Sequence, residues 1–449
     1  MMTLRDYQLR AVEAARQIIA DGTKSVLINS PTGSGKTVIA ASIVQGAVAK
    51  GKSVLFLAHR RELIQQCSAK LTEAGINNHG VIMAGSGFQN SQAPVQVASI
   101  QTLIRRELPV AHIIMIDECH RSICSQYKSI LNNYPDAIVI GLSATPERLD
   151  GKGLSDLFSK MVTVDTVPGL IERGYLVKPI CYAGTESDLS QVRMSRGDYR
   201  DGDLQDAMDK PRLIGDIVNN WTRLADGKLT IAFATGVEHA KHIAQEFWNA
   251  GISAASIDGI MRNSERDAII SDWKAGIIKV VSNCEVLCEG FDFPALECAI
   301  LARPTKSVSL YLQMVGRVMR SHPGKTAAYV LDHAGCIVTH GAPHLVREWS
   351  LEGEQKPRGT LSSLITSHSR PTEQRMEFDC LEGNLERIDD TDIPIGVRVN
   401  NDFNHLINEA RARGWKRGYV WHRLREQYDE AILRQHIPRH RGEWWRATA

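Results

Sequence analysis

Residues 28–37 read INSPTGSGKT, one residue short of a recurrent phosphate-binding pattern. Counting back from Gly35-Lys36-Thr37, the pattern G-x-x-x-x-G-K-[ST] asks for glycine at position 30, where this chain has serine. The flanking residues decide between a phosphate loop and an ordinary turn. SVLINS (25–30) is a β-branched and apolar run, and TVIAASIVQGAVAKG (37–51) repeats Val38, Ile39, Ile43, Val44 and Val48 at mostly helical spacing until Gly51. Strand, glycine loop and helix together aim backbone N–H groups and a helix N-terminus at an anion. Ser30 occupies only the entrance. Thr32, Gly33, Ser34 and Gly35 line the turn where the backbone must approach phosphate, Lys36 reaches the terminal phosphates, and the Thr37 hydroxyl is placed for Mg²⁺.

Such a loop needs a carboxylate at the end of a neighbouring strand. HIIMIDECH (112–120) supplies one: four apolar residues in a row read as a buried strand, with Asp117 and Glu118 emerging at its C-terminal edge. Asp117 is expected to orient Mg²⁺, directly or through water, and Glu118 to polarise an attacking water.

The whole chain is compatible with that chemistry. Its 449 residues exceed what one hydrophobic core usually serves, which predicts two domains and an appendage. Apolar content of 43% and charged content of 23% describe an ordinary globular protein. A net charge of +2 means that any nucleic-acid surface is a local concentration of Lys and Arg. The nine cysteines form no zinc-like pair of C-x-x-C units; Cys284 with Cys288 and Cys119 with Cys124 come nearest. MMTLRDYQLR at the N-terminus carries charge where a signal peptide needs its apolar run, and no apolar stretch is long enough for a bilayer. A reduced, cytoplasmic protein with no membrane partner is expected.

With PTGSGKT and DECH in place, the chain resembles the superfamily 2 helicases and translocases, whose P-loop tolerates a small residue other than glycine at its first position. Further motifs follow in that family's order. LRDYQ (4–8) resembles the adenine-recognising Q motif, which implies nucleotide contacts from Arg5 and Gln8. AHRRELIQQ (58–66) and ASIQTL (98–103) follow apolar strands where the family contacts one nucleic-acid strand, implicating His59, Arg60, Arg61, Gln101 and Thr102. SATP (143–146) resembles the coupling motif, through Ser143 and Thr145 and with His120 as neighbour.

The resemblance implies α/β architecture with two tandem RecA-like domains, parallel sheets flanked by helices, and a small, mainly helical C-terminal region. Residues 1–168 are assigned to the first domain, 169–225 to a linker and helical segment, 226–345 to the second domain and 346–449 to an accessory region. In the second domain Thr235 and Asn283 match nucleic-acid contacts, and CEVLCEGFDFP (284–294) resembles motif V, with Gly290 and Asp292 facing the cleft. YLQMVGRVMR (311–320) resembles motif VI. On a helix Gln313, Gly316, Arg317 and Arg320 fall at i, i+3, i+4 and i+7, one face that would present two guanidinium groups to a triphosphate held by the other domain. An arginine finger contributes about 10³ to 10⁵ in rate in other NTPases.

The tail divides at Asn401. Residues 346–400 are polar and proline-punctuated, either loosely ordered or a small strand-containing element. Residues 401–449 hold ten Arg and Lys against six Asp and Glu. There Trp415, Lys416, Arg417 and Trp421 combine stacking faces with phosphate-seeking charge, and stacking contributes about 1–3 kcal/mol per base. Trp415, Trp421 and Leu424 also read as the apolar face of a helical hairpin docked on the motor, with the arginines solvated.

The implied activity is ATP-dependent, with Mg²⁺, and drives relative domain motion along a nucleic acid. DECH, RDYQ and YLQMVGRVMR differ from the motifs of RNA-remodelling DEAD-box enzymes and are closer to those of phage and bacterial DNA motors. DNA, single-stranded, forked or branched, is therefore the expected partner. The alternatives are an RNA helicase, a duplex-translocating subunit of a restriction or defence assembly, and a nucleotide-gated binding module without useful hydrolysis.

Overall fold

The computed structural model describes residues 4–85, 90–121, 125–148, 152–184, 189, 191–195, 197–287, 290–354 and 385–388, together with 406, 420 and 423–425. Seven short strands build the first sheet: β1 Ser25–Asn29, β2 Val54–Ala58, β3 His79–Ile82, β4 Val95–Ser99, β5 Ile113–Asp117, β6 Ile138–Ser143 and β7 Lys160–Thr163. Their order is β3-β4-β2-β5-β6-β1-β7, and every pairing is parallel. Parallel strands need crossovers, and these put helices on both faces, so the strands are apolar on both sides. Along β1, Val26 and Ile28 meet the helices Asp6–Ala20 and Lys36–Val48, while Leu27 between them faces Tyr127, Ile130 and Phe158.

The second sheet repeats the plan. After β8 Pro179–Ala183 and a minimal antiparallel pair, β9 Met194–Ser195 with β10 Asp198–Tyr199, come β11 Thr230–Phe233, β12 Ala254–Ile257, β13 Val280–Asn283, β14 Cys298–Leu301 and β15 Ala328–Asp332. A second minimal pair, β16 Trp349–Ser350 with β17 Gly353–Glu354, precedes β18 Glu386–Ile388. The sheet order is β12-β13-β11-β14-β15-β8-β18, parallel except for β18 at the edge. The amphipathic helix Pro211–Ala225 covers one face with Ile214, Ile217 and Trp221; on the other face lie Trp273, Tyr311 and Met314.

The structure adds to the boundaries read from the sequence. Residues 179–183, expected in the connection, are strand β8, because PICYA alternates inward and outward and the edge of β15 is open to it. The accessory region contributes β18 to that sheet, and Leu385 is fixed by Asn220 and Arg223. It also returns to the first domain: the Leu351 carbonyl accepts from the amides of Leu154 at 2.7 Å and Ser155 at 2.9 Å, and the Leu351 side chain packs on that core. Trp415, Lys416, Arg417 and Trp421 lie outside the described residues; nearby, Val420 and Leu424 are helical and buried. No helix among the described residues is long and apolar enough to cross a membrane.

Trp221, with Trp273 one of the two largest fully buried side chains of the second domain, lies edge-on to Phe247 at 5.4 Å and donates from Nε1 to Thr230 Oγ1 at 2.7 Å. Trp221→Ala is expected to cost about 3–5 kcal/mol, read as earlier unfolding of the second domain in chemical denaturation followed by hydrogen exchange at β11.

Candidate functional site

The phosphate loop joins the end of β1 to the helix Lys36–Val48, beside the ends of β6 and β5. Gly33 and Gly35 take φ of +86° and +89°, the left-handed region that glycine enters without penalty. Ser30 is not among the described residues with positive φ, so its slot makes no demand for glycine. Its buried hydroxyl bonds Ser34 Oγ at 2.5 Å, Ser34 Oγ donates to the Pro31 carbonyl at 2.5 Å, and the Ser30 amide donates to Ser143 at 2.8 Å. The serine variant is thereby a brace inside the loop.

Lys36 Nζ reaches across to Glu118 Oε1 at 2.5 Å, both side chains nearly buried. Glu118 has φ +46°, a strained backbone for a residue with a Cβ, and it follows directly from β5. The Asp117 carboxyl accepts from the Glu118 amide at 3.0 Å. Burial, with Glu118 adjoining, pushes Asp117 up to about 6, against the pull of Lys36. His120 lies 3.4 Å from Glu118 Oε2 and 3.1 Å from Ser143 Oγ, and the Ser143 hydroxyl donates to the Thr145 carbonyl at 2.6 Å. Thr37 is the second residue of the loop's helix.

From the N-terminal helix, Gln8 Nε2 and the Tyr7 hydroxyl both donate to the Ser34 carbonyl, at 2.9 and 2.8 Å. Gln8 Oε1 accepts from the Arg5 amide at 3.0 Å, and the Arg5 guanidinium lies over the Tyr175 ring at 4.5 Å. Tyr7, inside LRDYQ, and Tyr175, in the connecting segment, are not marked by the sequence as site residues; their packing against Arg5 and the loop is seen only in the fold.

The second domain closes the cleft. Thr145 Oγ1 donates to Ser309 Oγ at 2.6 Å, both buried, and Ser309 is on the helix Val308–Gly316. Where that helix ends, Gly316 lies so close to Thr32 that a Cβ on it would overlap the threonine side chain. Arg320 Cγ would be 3.1 Å from a Cβ at Gly33. The expected single helical face through Arg320 is corrected here. The helix stops at Gly316, Arg317 is its cap, and the chain turns out so that Met319 accepts from the Val177 amide and Arg320 bridges Leu176. Arg317 Nη1 donates to the Phe291 carbonyl at 2.7 Å, and Arg320 pairs with Asp292. Thr32 Oγ1, Gln313 Nε2 and Arg320 Nε are buried polar atoms without a protein partner, which is what a cleft built to receive a polar ligand provides.

On the cleft's outer side, Arg60 Nη1 donates to the Glu285 carbonyl at 2.8 Å, Glu62 pairs with Arg266 at 3.3 Å, and Gln66 donates to the Gly290 carbonyl. Gln101 Nε2 donates to the His59 carbonyl at 3.0 Å, Thr102 Oγ1 accepts from Ala84, and Arg61 is exposed. Thr235 and Asn283 depart from expectation. Both are buried; Thr235 bonds His239 Nδ1 at 2.7 Å, while Asn283 donates to the Ala232 carbonyl and accepts from the Leu287 amide. Those bonds hold the ends of β11 and β13 and engage the groups that were expected to read nucleic acid.

With this geometry in view, comparison with known proteins is decisive. Residues 1–148 match the family model of the type III restriction enzyme res subunit, and residues 209–322 match the helicase conserved C-terminal domain. The chain belongs to the superfamily 2 helicases. It is 34% identical to a 51.5 kDa protein of a Lactococcus phage, over 86% of this chain and 89% of that one. It is 32% identical to IRC3 of Saccharomyces cerevisiae, assigned as an ATP-dependent helicase, over 74% of this chain and 51% of the yeast protein. Its fold matches a fragment assigned as the HsdR subunit of a type I restriction enzyme from Vibrio vulnificus (TM-score 0.60, 22% identity, 76% of this chain and 66% of that one). It also matches the restriction-modification enzyme LlaBIII bound to DNA (0.53, 20%, 74% and 28%) and Saccharomyces cerevisiae Dbp5 bound to RNA (0.51, 17%, 76% and 90%). As a helicase-family enzyme, the chain is an ATPase.

Gly316→Ala is expected to force the motif VI helix off the phosphate loop, lowering kcat for ATP at least about tenfold while the chain still folds. Adding Thr32→Gly removes both the Cγ2 and the Cβ that the new methyl would meet, so the double variant is expected to recover part of that loss in a steady-state assay, a coupling that independent sites do not give.

Proposed function

We propose that this chain is an ATP-dependent DNA motor that opens or remodels forked or branched DNA by alternating closure of its two domains. The observation that carries the reading is the direct contact of motif VI with the phosphate loop: Gly316 lies on Thr32, Arg320 beside Gly33, and Thr145 bonds Ser309 across the cleft. In this reading Lys36 exchanges Glu118 for the terminal phosphates, with the loop amides holding the rest of the triphosphate. The freed Glu118 takes a proton from the attacking water. Thr37 and Asp117 would hold Mg²⁺, which would neutralise charge on the phosphates when bound. Gln8 and Arg5 border the base, Gln313 lines the cleft, and Arg317 and Arg320 turn from Phe291 and Asp292 toward the transferring phosphoryl.

Closure is transmitted through Ser143, Thr145 and Ser309 to the outer side of the cleft. There His59, Arg60, Arg61, Gln101 and Thr102 offer donors to a nucleic-acid backbone, which positions without specifying sequence. DNA is favoured by the match to a restriction-enzyme family model over the first domain. RNA is the second reading, since Dbp5 with RNA has a similar fold; a duplex-translocating restriction motor is the third. We assign the first domain to residues 1–168, the second to the sheet from β8 onward, and residues 346–449 to an accessory element. Cys67, Cys284, Cys298 and Cys336 are thiols outside any disulfide, which suits a reducing, cytoplasmic setting.

The test is ATPase rate against single-stranded, duplex, forked and four-way DNA and RNA, with Lys36→Ala as control. Forked or branched DNA is expected to stimulate most, and Lys36→Ala to abolish turnover. Stimulation by RNA alone overturns the DNA assignment.

A further inference from the structure

Lys325 lies in the turn SHPGK (321–325), between motif VI and β15, where the sequence offers only a polar loop. Its ε-ammonium nevertheless donates to three main-chain carbonyls: Pro294 at 3.1 Å, Arg320 at 3.0 Å, and Leu296. An ammonium has three N–H groups, so its donor capacity is filled. The three acceptors belong to two segments that are otherwise far apart in sequence. Pro294 and Leu296 close the motif V loop that carries Asp292, and the third carbonyl is that of Arg320, whose guanidinium pairs with Asp292. Among the described residues no carboxylate forms an ion pair with Lys325: Glu297, next to Leu296, pairs instead with Lys228 at 3.0 Å.

We propose that Lys325 is a positioning residue for Arg320: by clamping the Arg320 carbonyl to the motif V loop, it fixes where the guanidinium stands over the phosphate loop. The inference rests on the assignment of Arg320 to ATP hydrolysis. Two other bonds narrow what remains for Lys325 to do. The connector holds the same segment from the opposite side, through the Leu176 bridge and the Val177 amide on the Met319 carbonyl. Asp292 holds the guanidinium tip. The clamp therefore governs the relation between the two loops, and hence whether Arg320 can leave Asp292 without its backbone drifting. Lysine suits this place, because a planar guanidinium cannot direct three donors at carbonyls converging on one point.

The clamp also carries a pH signature. Burial pulls the Lys325 ammonium down to about 8, with Arg320 acting in the same direction and Glu297 opposing it. Below that value the ammonium satisfies all three carbonyls. Above it the neutral amine has two donors and a lone pair, and one carbonyl is released.

The experiment compares the full-length chain with Lys325→Met, Lys325→Arg, Arg320→Ala and the double variant Lys325→Met/Arg320→Ala. Nucleic-acid-stimulated ATPase is measured from pH 6.5 to 9.5, with kcat and KM determined separately and melting temperature recorded alongside. Lys325→Met is expected to lower kcat at pH 7 at least about tenfold with KM for ATP changed less than about twofold, the pattern of an interaction used only in the transition state. Lys325→Arg does not restore it. The wild-type kcat falls as pH rises through about 8, and that limb is missing from Lys325→Met. The double variant is no slower than Arg320→Ala. A Lys325→Met enzyme with wild-type kcat overturns the proposal and leaves the motor assignment standing. So does a double variant that multiplies the two losses, or a loss in which KM and melting temperature move together with kcat. A wild-type chain with no ATPase under any nucleic acid overturns the motor assignment itself.

Discussion

A lysine ammonium and a glutamate carboxylate held 2.5 Å apart in a nearly buried cleft set the terms for this molecule. Neither charge can be buried alone, because an unpaired ion away from water costs several kcal/mol. Pairing Lys36 with Glu118 satisfies both while keeping each next to where its chemistry is required. It also fastens the end of β1 to the end of β5 across intervening β6, so the parallel register of three strands and the position of one ion pair are a single constraint. In the proposed ATPase cycle an incoming phosphate would compete for Lys36, and the groups around Glu118 would then reorganise. His120 at 3.4 Å and the Ser143–Thr145 turn beyond it are the first to feel that change.

The second domain reads that change through contacts too close to be passive. Gly316 has no side chain because Thr32 occupies the space where one would stand. Motif V holds both arginines of motif VI, through the Phe291 carbonyl and Asp292. The cleft therefore keeps charged groups pre-paired on each side, and in the proposed cycle ligand entry would exchange partners rather than create new charge. Such exchange avoids much of the desolvation cost that a freshly buried ion carries.

Much of this was legible in the sequence because the signals were local. The β-branched run before the glycine loop, the apolar run before Asp117 and the order of short motifs each depend on residues close together in the chain. The misread elements depend on distant partners. Strand β8 exists because β15 presents an open edge. The motif VI helix ends early because Leu176 and Val177 take up the chain that follows it. Asn283 and Thr235 carry the polar groups of nucleic-acid readers, yet they are spent on neighbouring main chain and on His239. Pattern identifies the residue type; only packing reveals what its hydrogen bonds are used for.

The chain passes between its two domains more than once. It leaves the first along Arg173–Val177, where Leu176 lies against Gly33, and it comes back at Leu351, whose carbonyl takes two amides from the far side of the first core. A body tied to another at two places keeps one easy freedom, rotation about the line joining the ties, and loses independent sliding. The pair of crossings thus works as a door hung on two pins. In the proposed motor, free energy that a ligand releases in the cleft would be guided along that swing.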